Sequence, residues 1–267
     1  MSIERTVIDD LIILGRAVPE IMKNGRTTVC TAGYSKTRGF VRIYPTKYTS
    51  PLTRWSIVKV PVERNSRDTR GESWKIQGSK RDWDRLDKKI QVVGELKRSD
   101  RLSLLANLTD GCVKDINDIR RSLGIVKPII KKCYFCSEEN YDPVLQTVLF
   151  GPPPPKTKKQ YRDIPKIEYF CSKCKAKNPH DQTVLEWGFY EWFRKHPDKI
   201  DQVWENALIY SPKHEIFFLV GNMLRYRNAF LIISILRLPK GPIYVPLVPR
   251  IKWIEPNQLS DKGIDNL

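Results

Sequence analysis

Cys133-Tyr-Phe-Cys136 and Cys171-Ser-Lys-Cys174 are two pairs of thiols, each pair separated by two residues. On a tight turn that spacing aims two sulfurs at one point, and two such pairs close a tetrahedral shell around one metal ion. Thiolate donors in that geometry favour zinc, which is redox-silent. The expected ligands are therefore Cys133, Cys136, Cys171 and Cys174, with His180 as the substitute if one thiol is free. Four protein donors leave no open coordination position, so the zinc would be structural. Two redox dithiols, or simple reduced thiols, are the alternative. Cys30 and Cys112 have no thiol nearby in sequence and read as small buried hydrophobes.

Other chemistry is sparse. The chain has three histidines, His180, His196 and His214, and no spacing among them builds a metal dyad or a base with its orienting partner. No phosphate-binding glycine loop, dinucleotide fingerprint or HExxH motif occurs. Glu168, Asp181 and Glu186 are carboxylates of the kind that hold magnesium in a nuclease, but their spacing does not require it.

Charge points elsewhere. Lysine and arginine number 47 against 30 acidic residues, a net charge of +17 over 267 residues. Such a surplus repels itself unless a polyanion neutralises it, and nucleic acid is the expected partner. An acidic protein partner, or simply a basic proteome background, is the alternative. From Lys156 to Lys177 there are eight basic and two acidic residues, next to the stiff stretch Gly151-Pro-Pro-Pro-Pro155. A basic arm of this kind waves in solvent or lies on a polyanion. The strongest apolar run, Ala229 to Leu236, is far shorter than the roughly 20 residues a membrane helix needs. The absence of a signal-like N-terminus predicts a cytoplasmic protein with reduced thiols.

The elements that position these groups are mostly strands. Apolar runs at 11–18, 27–34, 40–44 and 55–62, separated by Gly and Pro, predict a small β-barrel. In Phe40-Val-Arg-Ile-Tyr44, alternation places Phe40, Arg42 and Tyr44 on one face. That face is either a stacking platform for single-stranded nucleic acid or barrel core with a snorkelling arginine. Arg64, Arg67 and Arg70 recur every third residue, as a phosphate clamp or a solvated loop of weak ion pairs. Helical spacing follows at 84–90, 100–108 and 115–123, where Gly124 reads as a helix stop and a domain boundary.

In the second half, 144–150 and 164–170 are expected to form a hairpin around the proline run. The helix expected at 182–195, capped by Asp181, carries an apolar stripe that reads as core. A further helix at 199–208 and strands at 215–220, 227–238 and 243–253 complete the prediction.

Three stretches together resemble a known family. They are Gly15-Arg-Ala-Val-Pro-Glu20 leading to Thr28-Val-Cys-Thr-Ala-Gly-Tyr34 and Gly39-Phe-Val-Arg-Ile-Tyr-Pro-Thr46; Asp68-Thr-Arg-Gly-Glu-Ser-Trp74; and His180-Asp-Gln-Thr-Val-Leu-Glu-Trp187 with Phe217-Phe-Leu-Val-Gly-Asn222. They resemble the prokaryotic dual OB-fold proteins associated with defence against foreign nucleic acid, over about residues 12–238. The resemblance implies two OB-like barrels and a nucleic-acid-facing role without catalysis. More specifically, the chain looks like the partner subunit of a short prokaryotic Argonaute, and it supplies no catalytic residues.

The expected fold is thus strand-rich α+β: an N-terminal OB-like domain with a helical connector over 1–123, and a second OB-like barrel over 124–267 with a zinc-ribbon-like insertion. The expected function is a non-enzymatic, zinc-stabilised nucleic-acid-binding subunit (RNA, DNA or hybrid) of a larger complex. A metal-dependent nuclease and a basic protein-interaction module are the alternatives. The candidate contacts are Arg26, Arg38, Arg42, Tyr44, Lys47, Arg64, Arg67 and Arg70 in the first half. Lys156, Lys158, Lys159, Arg225, Tyr226 and Arg227 are those of the second.

Overall fold

Apolar alternation sets the first half as strands: β1 (Arg5–Arg16), β2 (Glu20–Ile21), β3 (Thr27–Ser35), β4 (Gly39–Lys47), β5 (Ser56–Arg64), β6 (Ser73–Ile76) and β7 (Gln91–Glu95). The computed structural model describes residues 3–142, 155–174 and 176–240. β1 pairs with β3, β3 with β4, β4 with β6, β6 with β5, and β5 returns to β1, so five strands close a barrel. The β4–β6 pairing is parallel and the others are antiparallel. Register slips in β1, between Ile8 and Leu11 and between Ile13 and Gly15, bend it enough to pair on both sides. The barrel is filled by Ile8, Leu11, Val41, Ile43, Val60 and their neighbours.

Between the halves run α1 (Arg98–Leu108), β8 (Thr109–Asp110) and α2 (Val113–Asp118). Two 3-10 turns, Lys80–Arg85 and Asp87–Lys89, stand where one helix was expected. The second half contributes β9 (Leu123–Val126), β10 (Pro128–Ser137), β11 (Asp163–Cys171), β12 (His180–Thr183), α3 (Trp187–Lys195), α4 (Val203–Asn206), β13 (His214–Asn222) and β14 (Phe230–Pro239). Its described strands form two sheets, β10-β11-β12 and β14-β13-β9-β8. A single bridge between Val184 and Ile232 connects them, so no second closed barrel is present among the described residues. No helix among the described residues is long and apolar enough to cross a membrane.

Several expected boundaries shift for physical reasons. The expected helix at 182–195 begins only at Trp187, because Gln182, Val184 and Glu186 are buried in alternation. That is a period of two, and β12 pairs with β11. Gly124 is not a helix stop. It lies inside β9, where an added Cβ would sit 2.3 Å from Ile116 Cδ1. The hairpin partner expected at 144–150 and the strand at 243–253 lie outside the described residues.

The halves share a core. Ile12, Leu14, Phe40 and Trp55 of the barrel pack with Leu123, Ile125, Phe217, Leu219 and Ile233 of the second half. β4 is therefore buried on both faces, Val41 and Ile43 into the barrel and Phe40 into the joint. At Gly15 an added Cβ would lie 2.5 Å from Ser234 Cβ, so only glycine permits β1 to approach β14 this closely.

A partly buried ion pair spans the same joint. Glu186 accepts from Arg54 Nη2 at 2.5 Å and from the Ile235 amide at 2.5 Å, while Arg54 also donates to Ser234 Oγ at 2.8 Å. Glu186 is buried but Arg54 keeps 28% of its side chain exposed, so removing the carboxylate costs less than the about 3–5 kcal/mol of a fully buried pair. Glu186→Ala should lower unfolding stability in urea denaturation by about 1–3 kcal/mol, the cost of leaving a buried donor unsatisfied, well beyond the effect of a control at the exposed Glu205, Glu205→Ala.

Candidate metal centre and nucleic-acid interface

The candidate metal ligands that the fold brings together differ from the expected four. Cys112, Cys171, Cys174 and His180 place one ligand atom each within 4.8 Å of one another. Cys112 Sγ lies 3.2 Å from Cys174 Sγ and 3.4 Å from His180 Nε2, and Cys174 Sγ is 3.4 Å from the same nitrogen. Donors on a tetrahedron with 2.3 Å zinc–sulfur bonds stand about 3.8 Å apart. The three shortest separations fall a few tenths of an ångström below that value, and three sulfurs with one imidazole are a zinc-type donor set.

Each ligand is placed by local backbone structure. Cys112 is the N-cap of α2 and accepts from the Lys114 amide at 3.4 Å. Cys171 ends β11, and the Cys174 amide bonds back to its carbonyl at 3.0 Å, which makes the tight turn expected for this pair. The Ala176 amide donates to Cys174 Sγ at 3.3 Å, and His180 opens β12. Burial pushes the Cys112 and Cys171 thiols up and the His180 imidazole down, since it disfavours every charged form. A divalent cation reverses that preference for the thiols, so loading releases protons.

Cys133 and Cys136 are corrected out of the cluster. They sit in β10, which runs unbroken from Pro128 to Ser137, opposite Ile167 and Ile164. Positions three apart in a strand point to opposite faces, so the two sulfurs cannot converge. Cys133 packs on the core, and burial pushes its thiol up to about 11. Cys136 is exposed. Cys112 was missed because its partners are distant in sequence and only the docking of α2 brings it to them.

The basic and aromatic candidates separate into two groups. Arg42 is 5% exposed, and its Nη atoms donate to the carbonyls of Ser122 at 2.9 Å and Asn222 at 3.3 Å. Burial pulls its pKa down. Arg70 forks onto Asp68 at 2.9 and 2.6 Å and also donates to the Asn222 carbonyl at 2.7 Å. Arg42 is therefore corrected from an open phosphate contact to a joint between the halves, and Arg70 from an exposed clamp to a paired one. Arg64 stacks 3.7 Å from the Trp74 ring centre and pairs with Glu4, while Arg38 lies 5.9 Å from the same ring centre. Lys47 faces Asp84 and Asp87.

The remaining candidates line two adjoining cavities. Arg26, Tyr44 and Arg67, with Trp83 and the paired Arg70, line one of about 500 Å³ whose walls come from the first half apart from Leu224. Tyr44, Arg70, Lys158 and Arg225 line a second, of about 330 Å³. Tyr226 is 56% exposed beside them, and Arg227 donates to Thr69 across the joint. The basic arm does not wave free throughout: the Lys158 amide bonds to the Pro19 carbonyl at 3.1 Å, and Lys156 lies over the Tyr161 ring. Lys159 is exposed in the same turn. The suspected nuclease carboxylates are engaged, Glu186 with Arg54 and Asp181 with Lys166 and Tyr134.

Two family profiles match the chain. Residues 8–107 match the family described as Domain of unknown function (DUF8758), and residues 117–258 match Domain of unknown function (DUF8757). No curated protein matches it. Cys112 falls between the two matched segments and its three co-ligands within the second.

If the cluster holds zinc, Cys112→Ser should lower the bound metal well below one ion per chain by elemental analysis. Cys133→Ser and Cys136→Ser should leave it unchanged. Retention of metal by Cys112→Ser, with loss in Cys133→Ser, would restore the four ligands read from sequence.

Proposed function

We propose a role for this chain, which belongs to the family described as Domain of unknown function (DUF8757), as a non-enzymatic subunit that holds nucleic acid in the cleft between its halves. The observation that carries the reading is the convergence of Arg26, Arg67, Lys158 and Arg225 with Tyr44 and Trp83 on two adjoining cavities. Bases stack on rings while guanidinium and ammonium groups meet phosphates. The net charge of +17 supplies the long-range attraction.

The strand order of the first barrel supports the OB-like assignment, since a five-stranded closed Greek-key barrel is the architecture of many oligonucleotide-binding domains. The second half is read as a degenerate counterpart whose sheets are tied to the connector by structural zinc at Cys112, Cys171, Cys174 and His180. Metal at this position acts on folding, because four protein donors leave no site for substrate. The resemblance of the sequence to dual OB-fold defence proteins favours a protein partner of the short Argonaute type, with the chain holding a guide or its target.

Binding to a labelled single-stranded oligonucleotide should be nearly independent of sequence. It should weaken by about 10³- to 10⁵-fold between 50 and 200 mM salt if six or more phosphates are contacted. An affinity that is flat across that range would contradict the reading.

A further inference from the structure

The thiols of the cysteine and histidine cluster stand close enough to bond to one another. Cys112 Sγ lies 3.2 Å from Cys174 Sγ, and Cys171 keeps its sulfur within 4.8 Å of both. Bonded sulfurs are about 2.0 Å apart, so the first pair closes with a shift of about 1 Å. Access differs among the three. Cys112 and Cys171 are 5% and 2% exposed, whereas Cys174 is half-buried and flanked in the chain by the exposed Ser172, Lys173 and Ala176. A soluble oxidant therefore reaches Cys174 first.

The backbone supplies the second thiol. Cys112 begins α2 as its N-cap, and the connector lies against the turn that carries Cys174: an added Cβ on Gly111 would stand 3.7 Å from Lys173 Cβ. Cys112 and Cys174 are 62 positions apart in sequence, so a bond between them ties the connector to the second half. A bond from Cys171 to Cys174 would only close a local turn. Cys133 and Cys136, on opposite faces of β10, offer no such pairing.

We propose that Cys112 and Cys174 form a disulfide when the chain meets hydrogen peroxide, so that the cluster holds the connector either around a metal ion or by a covalent bond. Only the first of these two states rests on the metal reading of the cluster. In the first step the Cys174 sulfur attacks one peroxide oxygen: an S–O bond forms, the O–O bond breaks, and the leaving hydroxide takes the thiol proton to become water. Cys112 then attacks the sulfenic sulfur. An S–S bond forms, the S–O bond breaks, and the departing hydroxide leaves with the Cys112 proton as a second water. Each cysteine gives up one electron and the peroxide gains two. The bond consumes two of the four donors, and Cys171 with His180 is too small a set for a tetrahedral site, so oxidation expels the ion.

The test treats the full-length, zinc-loaded chain with hydrogen peroxide, following zinc captured by a chromophoric chelator and disulfides mapped in peptides digested without reduction. Release of about one zinc ion per chain should track the appearance of a peptide joining Cys112 to Cys174, and dithiothreitol with added zinc should reverse both. Cys136→Ser, which removes an exposed thiol outside the cluster, should change neither. In the absence of metal, the oxidised chain should unfold at a higher urea concentration than the reduced one, because the cross-link restricts the unfolded state. A bond from Cys171 to Cys174 in its place, or a sulfinic acid at Cys174 with no joined peptide, would overturn the proposal and leave the metal reading intact. A bond from Cys112 to Cys174 in a chain that binds no zinc would uphold the pairing and overturn the metal reading.

Discussion

The structure depends on the burial of β1 and β4 on two faces at once. A barrel strand ordinarily presents one face to its own core and the other to water or ligand. Here the outer face of these strands is covered by β9, β13 and β14 through a shared apolar core. The approach is close enough that Gly15 and Gly221 cannot carry side chains: a Cβ on Gly221 would stand 2.5 Å from Ile233 Cδ1 and 3.0 Å from Arg42 Nη2. The contact also removes charged groups from water. Arg42 and Arg70 donate across the joint to the carbonyls of Ser122 and Asn222, Arg70 also pairs with its neighbour Asp68, and Glu186 pairs across the joint with Arg54.

That constraint creates the cleft. Arg42 on β4 donates to the Asn222 carbonyl on β13 at 3.3 Å, with β13 held on β14 and β4 on β3. The cavity that both residues line is also lined by Met223, Leu224, Arg225 and Lys158. The cysteine and histidine cluster lies at the other end of the connector. It sets the start of α2 beside the end of β11 and the start of β12.

The first half was largely legible in sequence because its strands alternate and end at Gly or Pro. Expected runs at 27–34 and 40–44 fall within β3 and β4, and that at 55–62 overlaps β5. What alternation alone could not say was that the Phe40 face would be covered by a second core. The metal site was half legible: Cys171 and Cys174 lie on a turn as their spacing requires, and His180 follows six residues later. The pair Cys133 and Cys136 carries the same spacing but lies in a strand, where the signal has no geometric meaning. Cys112 has no local signal at all. Among the basic residues, count and position were visible, but which ones are consumed by internal carbonyls and carboxylates depends on pairings up to 180 residues apart, as for Arg42 and Asn222.

The most direct test of the proposed nucleic-acid cleft is ultraviolet cross-linking of a single-stranded oligonucleotide to the full chain, with the attached peptides identified by mass spectrometry. Cross-links should fall on the cleft, at Tyr44, Trp83 and the 223–227 loop. Cross-links confined to the exposed strand β7 or to the outer edge of β10, with none in the cleft, would contradict the account.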